Sequence, residues 1–327
     1  MAAGGQLPPG TLGVLPAGLI ARPWTIAILI ELADGPCRPH ELERRIAGVS
    51  HAALMRRLAQ LSRAGVIARG GGPRVPPRPH VILTAAGREL NVLAELAERW
   101  EARTMLRTRA LPGIWALRTL ADEDAWQILC ALSQERLDAR ELACRVGPIA
   151  DIALSRRLAE HVRDGLLLRR GTAAGTVYEL TDDARRLVAL ALPAMAWELR
   201  FSRPAAERAA SDLVAMLRLG APLAHLPEEL AGVCGIRVVP CGSPGCGLWL
   251  RARSGRLLTL PRPPVAPAQA EGHAAAAGWL HALLENRRRA ITTVGEGALL
   301  AGVLDALSAL SDAPASAFEA VRGGVRL

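Results

Sequence analysis

Lysine is absent from all 327 residues, and aromatic side chains are scarce, at seven Trp, two Phe and one Tyr. Arginine alone carries the basic charge, and the formal net charge is +9. An Ala-, Arg- and Gly-rich chain without lysine is also what a GC-rich genome produces, so the arginine total excludes little. Long apolar runs are missing too. No stretch of about 18 uncharged apolar residues occurs, which excludes a membrane-spanning helix. The N-terminal stretch MAAGGQLPPGTLGVLP has no charged n-region and no continuous apolar h-region, so no secretory signal is read there. The six cysteines, at 37, 130, 144, 234, 241 and 246, are dispersed through the chain. Free thiols in a reduced, cytoplasmic compartment are therefore expected. Catalytic signatures are lacking as well: there is no Gly-rich phosphate loop, no Gly-x-Ser-x-Gly elbow and no His-Glu-x-x-His. An enzyme is not expected.

What is present is an apolar half, enough for a sizeable core, in a length that fits two or three domains. The position of the charge is more telling than its amount. From Arg38 to Arg78 there are nine arginines against Glu41 and Glu43, a net +7. From Glu135 to Arg170 eight arginines face six acids, a net +2, and Ala205 to Leu327 also carries +2. Arginine meets phosphates and guanine edges bidentately, so the first of these segments suits a nucleic-acid partner.

The stretch SHAALMRRLAQLSRAG, from Ser50 to Gly65, returns as ADIALSRRLAEHVRDG, from Ala150 to Gly165. Leu54, Leu58 and Leu61, and then Leu154, Leu158 and Val162, recur at helical spacing and give each copy one buried face. Each copy carries an arginine pair off that face, Arg56-Arg57 and Arg156-Arg157. Such a helix reads either as a DNA-recognition helix or as a solvated helix in a repeated structural module. The surroundings repeat as well. At an offset of 100, Ile28, Leu29, Leu32, Glu41, Leu42 and Arg45 match Ile128, Leu129, Leu132, Glu141, Leu142 and Arg145. Later the offset is 97, pairing Leu83-Thr84, Arg88, Leu90 and Trp100 with Leu180-Thr181, Arg185, Leu187 and Trp197. A three-residue deletion accounts for the change, and a domain duplication is expected.

Within the first copy, helical periodicity begins near Pro23, with Trp24, Ile28, Leu29 and Leu32 inward. A short helix over PHELERRIAG follows, and Ser50 is placed to cap the next. Two apolar strands, at 66–69 and HVILT, flank the loop GGGPRVPPRP. Thr84 caps a last long helix with Leu90, Leu93, Leu96 and Trp100 in one stripe. The segments PWTIAILIEL, GPCRPHELERRIAGVS and RVPPRPHVILTAAGREL resemble the HxlR-type winged-helix transcriptional regulators of bacteria, relatives of the MarR group. The departures are His40 for the usual aromatic, Ile82 for the usual tyrosine, and no cysteine before the first helix. The second copy keeps Trp126, Glu141-Leu142, Arg156-Arg157 and Tyr178-x-Leu180-Thr181 but lacks the double proline of the wing. The resemblance spans about residues 20–200.

The resemblance implies a recognition helix in the major groove of double-stranded DNA and a wing reaching phosphates or the minor groove. Candidate DNA contacts are Ser50 as the cap, then His51, Met55, Arg56 and Arg57, with Arg74 and Arg78 on the wing. Ser155, Arg156 and Arg157 correspond in the second copy. The family's dimers pair through terminal helices. Here the duplication permits a monomeric pseudo-dimer with two reading heads, or a second copy that has become a packing partner while whole chains pair as homodimers.

The fold class expected is mainly α with small β wings: two tandem winged-helix domains plus a small α+β C-terminal domain. The divisions are a flexible arm over 1–17, winged helices over 18–108 and 109–203, and an accessory domain over 204–327 for effector binding or assembly. In that last region GIRVV and GLWLRARSGRLLTL read as two or three strands, and PRPPVAPAQAEG as a linker or long loop. GWLHALLENRRRAITTV and EGALLAGVLDALSAL read as two helices. Cys234, Cys241 and Cys246 vaguely resemble half of a zinc module. A fourth ligand would have to come from His225, His273 or His281, so buried thiols are the simpler reading and no cofactor is expected. A sequence-specific DNA-binding regulator, open to a small-molecule effector, is the function implied. The rival is a ligand-sequestering or protein-interaction protein whose winged helices no longer read DNA.

Overall fold

In the computed structural model, residues 14–71, 79–103, 114–146, 149, 151–173, 175–202, 205–239 and 247–311 are described. The chain opens with α1 (Val14–Ile20), α2 (Thr25–Ala33), α3 (Pro39–Arg45) and α4 (His51–Arg63). An antiparallel pair, β1 (Ile67–Gly71) and β2 (Pro79–Leu83), and a long helix, α5 (Ala85–Arg103), complete the helix–helix–helix–strand–strand–helix order of a winged helix. Helix α4 illustrates the local logic. Leu54, Leu58 and Leu61 are buried on one face, each contributing roughly 1.5–3 kcal/mol by leaving water. Gly65 ends the helix at φ 69°, which lets Val66 N–H reach the Leu61 carbonyl at 2.9 Å and satisfies a free helix-end acceptor. Thr84 then caps α5, its hydroxyl accepting from Gly87 N–H at 3.1 Å.

The same succession follows at the offsets seen in the sequence: α6 (Ile114–Ala121), α7 (Glu123–Leu132), β3 (Leu137–Asp138), α8 (Ala139–Arg145), α9 (Asp151–Arg163), β4 (Leu167–Thr172) and β5 (Gly175–Leu180). The counterpart of α5 is divided into α10 (Asp182–Arg186) and α11 (Val188–Phe201). Strand β3 pairs with β5, making a three-stranded sheet in the order β3-β5-β4. In the first module an isolated bridge between Cys37 and Val81 takes that place. Helix α1 lies along α6 and α5 along α11, so the seam between the modules is helical.

Beyond the seam come α12 (Ala206–Gly220), a 3-10 turn (Ala221–Leu223), β6 (Gly232–Val238), β7 (Gly247–Arg253), β8 (Arg256–Leu260), β9 (Ala270–Ala274), α13 (Ala276–Glu285), β10 (Thr292–Gly295) and α14 (Gly297–Ser308). Their five strands form one sheet ordered β10-β9-β6-β7-β8. Only the β6–β9 pairing is parallel. Trp279 on α13 is fully buried and donates its indole N–H to the Arg237 carbonyl at 3.1 Å. One continuous buried cluster runs from Ala17 to Leu307.

Several expectations need correction. Residues 14–17 of the expected arm are helical in α1, because Ala17 and Ile20 bury themselves beside α6; residues 1–13 lie outside the described residues. Helix α2 begins at Thr25 rather than Pro23, since Trp24 holds a left-handed φ of 67° that no helix continues. Trp24 is 37% exposed, and Thr25 joins Ile28, Leu29 and Leu32 on the inner face. In α9 the buried position after Leu158 is His161, with Val162 only partly buried. The Pro-rich segment ends in a strand, β9, and the stretch after Asn286 leaves helix for β10, because Asn286 turns the chain at φ 53°.

Candidate nucleic-acid interface

The Ser50 hydroxyl accepts from Ala53 N–H at 3.3 Å, fixing the start of α4. With three leucines inward, the helix leaves Arg56 exposed to solvent. Arg56 has no ion pair or side-chain hydrogen bond among the described residues. Its neighbour Arg57 is half-buried and held in place. Arg57 Nε donates to the Pro23 carbonyl at 3.2 Å, and Nη1 donates to Gln60 Oε1 at 2.6 Å. Burial, then the charges of Arg22 and Arg56, push its guanidinium below the ordinary value. Three like charges, Arg22, Arg56 and Arg57, therefore crowd one corner, a concentration that an anion relieves. His51 stands exposed with its Nδ1 2.8 Å from a Glu43 carboxylate oxygen. Met55 is partly buried against the core rather than free at the surface. Arg74 and Arg78 lie outside the described residues.

At the corresponding place in the second module the chemistry is reversed. Arg157 meets Asp122 at 2.5 Å and Asp124 at 2.8 Å. Burial opposes its charge, but the two carboxylates outweigh that and hold its pKa above the ordinary value. Asp122 also caps α7, accepting from Ala125 N–H at 3.2 Å. Arg156 is exposed, 3.9 Å from Glu160, and Ser155 is exposed. Asp151 stands where the first module has His51, and Ile152 beside it is 87% exposed. The second arginine pair is thus brought to the surface but largely neutralised.

Sequence reasoning missed Arg22 and the Asp122–Asp124 clamp. The signal was available: at the offset of 100, Arg22-Pro23-Trp24 becomes Asp122-Glu123-Asp124. What was not visible is that both triplets pack against the second arginine of their helix.

The thiol of Cys234 lies buried in β6, pushed up to about 12 by burial and then by the Glu271 charge. Cys241 and Cys246 lie outside the described residues, and the described residues contain no metal-sized grouping of His, Cys, Asp or Glu. His273 pairs with Glu271 at 3.4 Å. No helix among the described residues is long and apolar enough to cross a membrane.

Residues 19–108 match the family described as HxlR-like helix-turn-helix. An uncharacterized HTH-type transcriptional regulator of Halalkalibacterium halodurans is 38% identical over 82 residues, 24% of this chain and 73% of that protein. One from Synechocystis is 40% identical over 72 residues, 22% of this chain and 53% of that protein. A third, from Methanothermobacter thermautotrophicus, is 33% identical over 81 residues, 25% of this chain and 62% of that protein. The chain thus spans somewhat over half the length of the last two. A solved structure described as a MarR-family transcriptional regulator from Enterococcus faecalis V583 is 29% identical, covers 27% of this chain and 81% of that one, and has a TM-score of 0.25.

Proposed function

The chain belongs to the HxlR-like helix-turn-helix family, and from that premise we propose that it is a DNA-binding transcriptional regulator rather than an enzyme, with α4 as its principal reading helix. One observation carries the reading: Arg56 projects to solvent, backed by Arg22 and Arg57, with no carboxylate bonded to any of the three among the described residues. In a winged helix that face enters the major groove, where Arg56 meets a base edge and Arg22 a phosphate. The cap Ser50, His51 and the wing residues Arg74 and Arg78 add contacts around it, and Met55 orients the helix from beneath.

The recurrence of elements at offsets 100 and 97 supports a duplication into two winged helices, over 18–108 and 109–203, followed by an accessory region over 204–327. The helical seam of α1 with α6 and α5 with α11 is the internal counterpart of a dimer interface. Because Arg157 is clamped by Asp122 and Asp124, α9 serves chiefly as a packing partner. An operator with two half-sites about 34–36 Å apart is then read by two chains, each supplying its α4.

The test is a titration of promoter fragments at several salt concentrations with Arg56→Ala and Arg156→Ala. The first variant is expected to lose about 1–3 kcal/mol of site-selective affinity, while the second stays near the parent. Equal losses would give both helices the same role. Weak, unselective binding by the parent chain would instead favour the ligand-sequestering or protein-interaction rival.

A further inference from the structure

A cavity of about 420 Å³ lies where the helical seam meets the C-terminal region. Its apolar walls come from Trp197 and Leu199 on α11 and from Leu280 and Leu284 on α13. Its two carboxylates are each matched by an arginine. Arg200 Nη1 lies 2.5 Å from Glu89, and Arg287 Nη1 lies 3.4 Å from Glu285. A second recess of about 630 Å³ abuts the first, sharing His281 and Arg287, and is completed by Asn286, Arg288, Arg289 and Ala290. That recess has no acidic residue in its wall. Arg288 is occupied by Asp305, but Arg289 is exposed and has no ion pair among the described residues.

From this juxtaposition we infer that the two recesses form one binding site for an amphipathic organic anion, its apolar body between α11 and α13 and its carboxylate at Arg289, beside His281. The charge arithmetic selects the sign. Inside the apolar chamber Glu89 and Glu285 cancel Arg200 and Arg287, and Asp305 offsets Arg288, so the surplus positive charge at the mouth is that of Arg289. A cation would face Arg289 on entry, whereas a neutral molecule would leave the mouth unused. A site of this size and lining, mostly apolar with a few convergent polar groups, is what small-molecule pockets share. Glu89 on α5 and Trp197 on α11 belong to both the cavity wall and the seam between modules, so a bound anion bears on the arrangement of α4 relative to its partner module. This regulatory use rests on the reading of the chain as a DNA-binding regulator; the site itself does not.

The test uses the full chain in two stages. Calorimetric titration without DNA compares octanoate, octylamine, 1-octanol and inorganic phosphate. Octanoate is expected to bind at least tenfold more tightly than the other three. Arg289→Ala should weaken octanoate about tenfold, and Ala277→Trp, which fills the cavity from an exposed position, should abolish its binding while leaving the melting temperature unchanged. Preferential binding of octylamine, equal binding of octanol, phosphate binding as tight as octanoate, or indifference to Ala277→Trp would each overturn the site. In the second stage saturating octanoate is expected to change promoter affinity at least fivefold. Octanoate binding by a chain that shows no promoter selectivity keeps the site and removes the regulator reading. Selective DNA binding with no octanoate binding does the reverse.

Discussion

The indole N–H of Trp197 donates to the carbonyl of Ala86 at 2.8 Å, joining residues 111 positions apart in the chain. Trp100, its counterpart at the offset of 97, donates to the Arg186 carbonyl at 3.1 Å in the opposite direction across the seam. Each module thus places its last tryptophan against the first turns of the other's final helix. Both indoles are buried, so each bond is made out of water, where an unmade one is costly. The seam is therefore specified by directional bonds as well as by apolar area, and it holds the modules in one orientation.

Replacing Trp197 by Phe keeps most of the apolar body and deletes the bond to Ala86. The expected loss is about 2 kcal/mol, from the bond and the missing ring. It is measured as a shift of the urea midpoint at unchanged slope. No shift would mean the seam is held by area alone.

Gly87 is a position where even one methyl is too much. A Cβ there would lie 2.2 Å from the Val66 carbonyl oxygen, a backbone atom that carries the Thr84 N–H bond closing the wing onto α5. Gly87→Ala should cost at least about 2 kcal/mol through the enforced backbone shift, read by thermal melting. A variant as stable as the parent would show that the wing joint yields freely.

Arg157 owes its neutralisation to Asp122 and Asp124. The double change Asp122→Asn/Asp124→Asn removes both charges while Asn still caps α7. Non-specific DNA affinity should rise, and the salt slope should steepen by up to about 0.9 for one added phosphate contact. Adding Arg157→Ala should cancel the gain. Stability should fall by roughly 1 kcal/mol or less, because the pair is partly exposed and screened. An unchanged slope would show that the two carboxylates do not govern the contribution of α9 to DNA binding.

His161 is buried, and its Nε2 has no hydrogen-bond partner among the described residues. Burial first, opposed by the charges of Asp164 and Asp122, sets its pKa below the ordinary 6.5. The unfolded chain therefore binds more protons than the folded one below that pH, so stability rises with pH. Stability is complete above about pH 6.5 and is lost as the pH falls from there through the folded value. His161→Leu, which installs the residue found at position 61, should flatten this acid limb and leave the neutral plateau equal or higher. Urea midpoints between about pH 5 and pH 8 check it, and a parent and variant with the same pH dependence would rule it out.

Much of the molecule was legible from order and spacing alone. The apolar stripe of α4, the Ser50 and Thr84 caps, the glycine ends and the recurrence at offset 100 are local properties. They follow from helical periodicity and from the hydrogen bonds that helix ends require, so the first winged helix and the exposure of Arg56 could be read directly. The C-terminal sheet was harder. Strands β9 and β10 are short and mixed in composition, and their pairing partners lie far off in the chain, so no local pattern announces them. Tertiary structure alone decided which arginines are available. Arg57 and Arg157 occupy identical places in their helices, yet one rests on a carbonyl beside two like charges and the other between two carboxylates. That difference is set by residues 33 to 35 positions away, brought close only by folding, because the field at a charge depends on distance in space rather than along the chain.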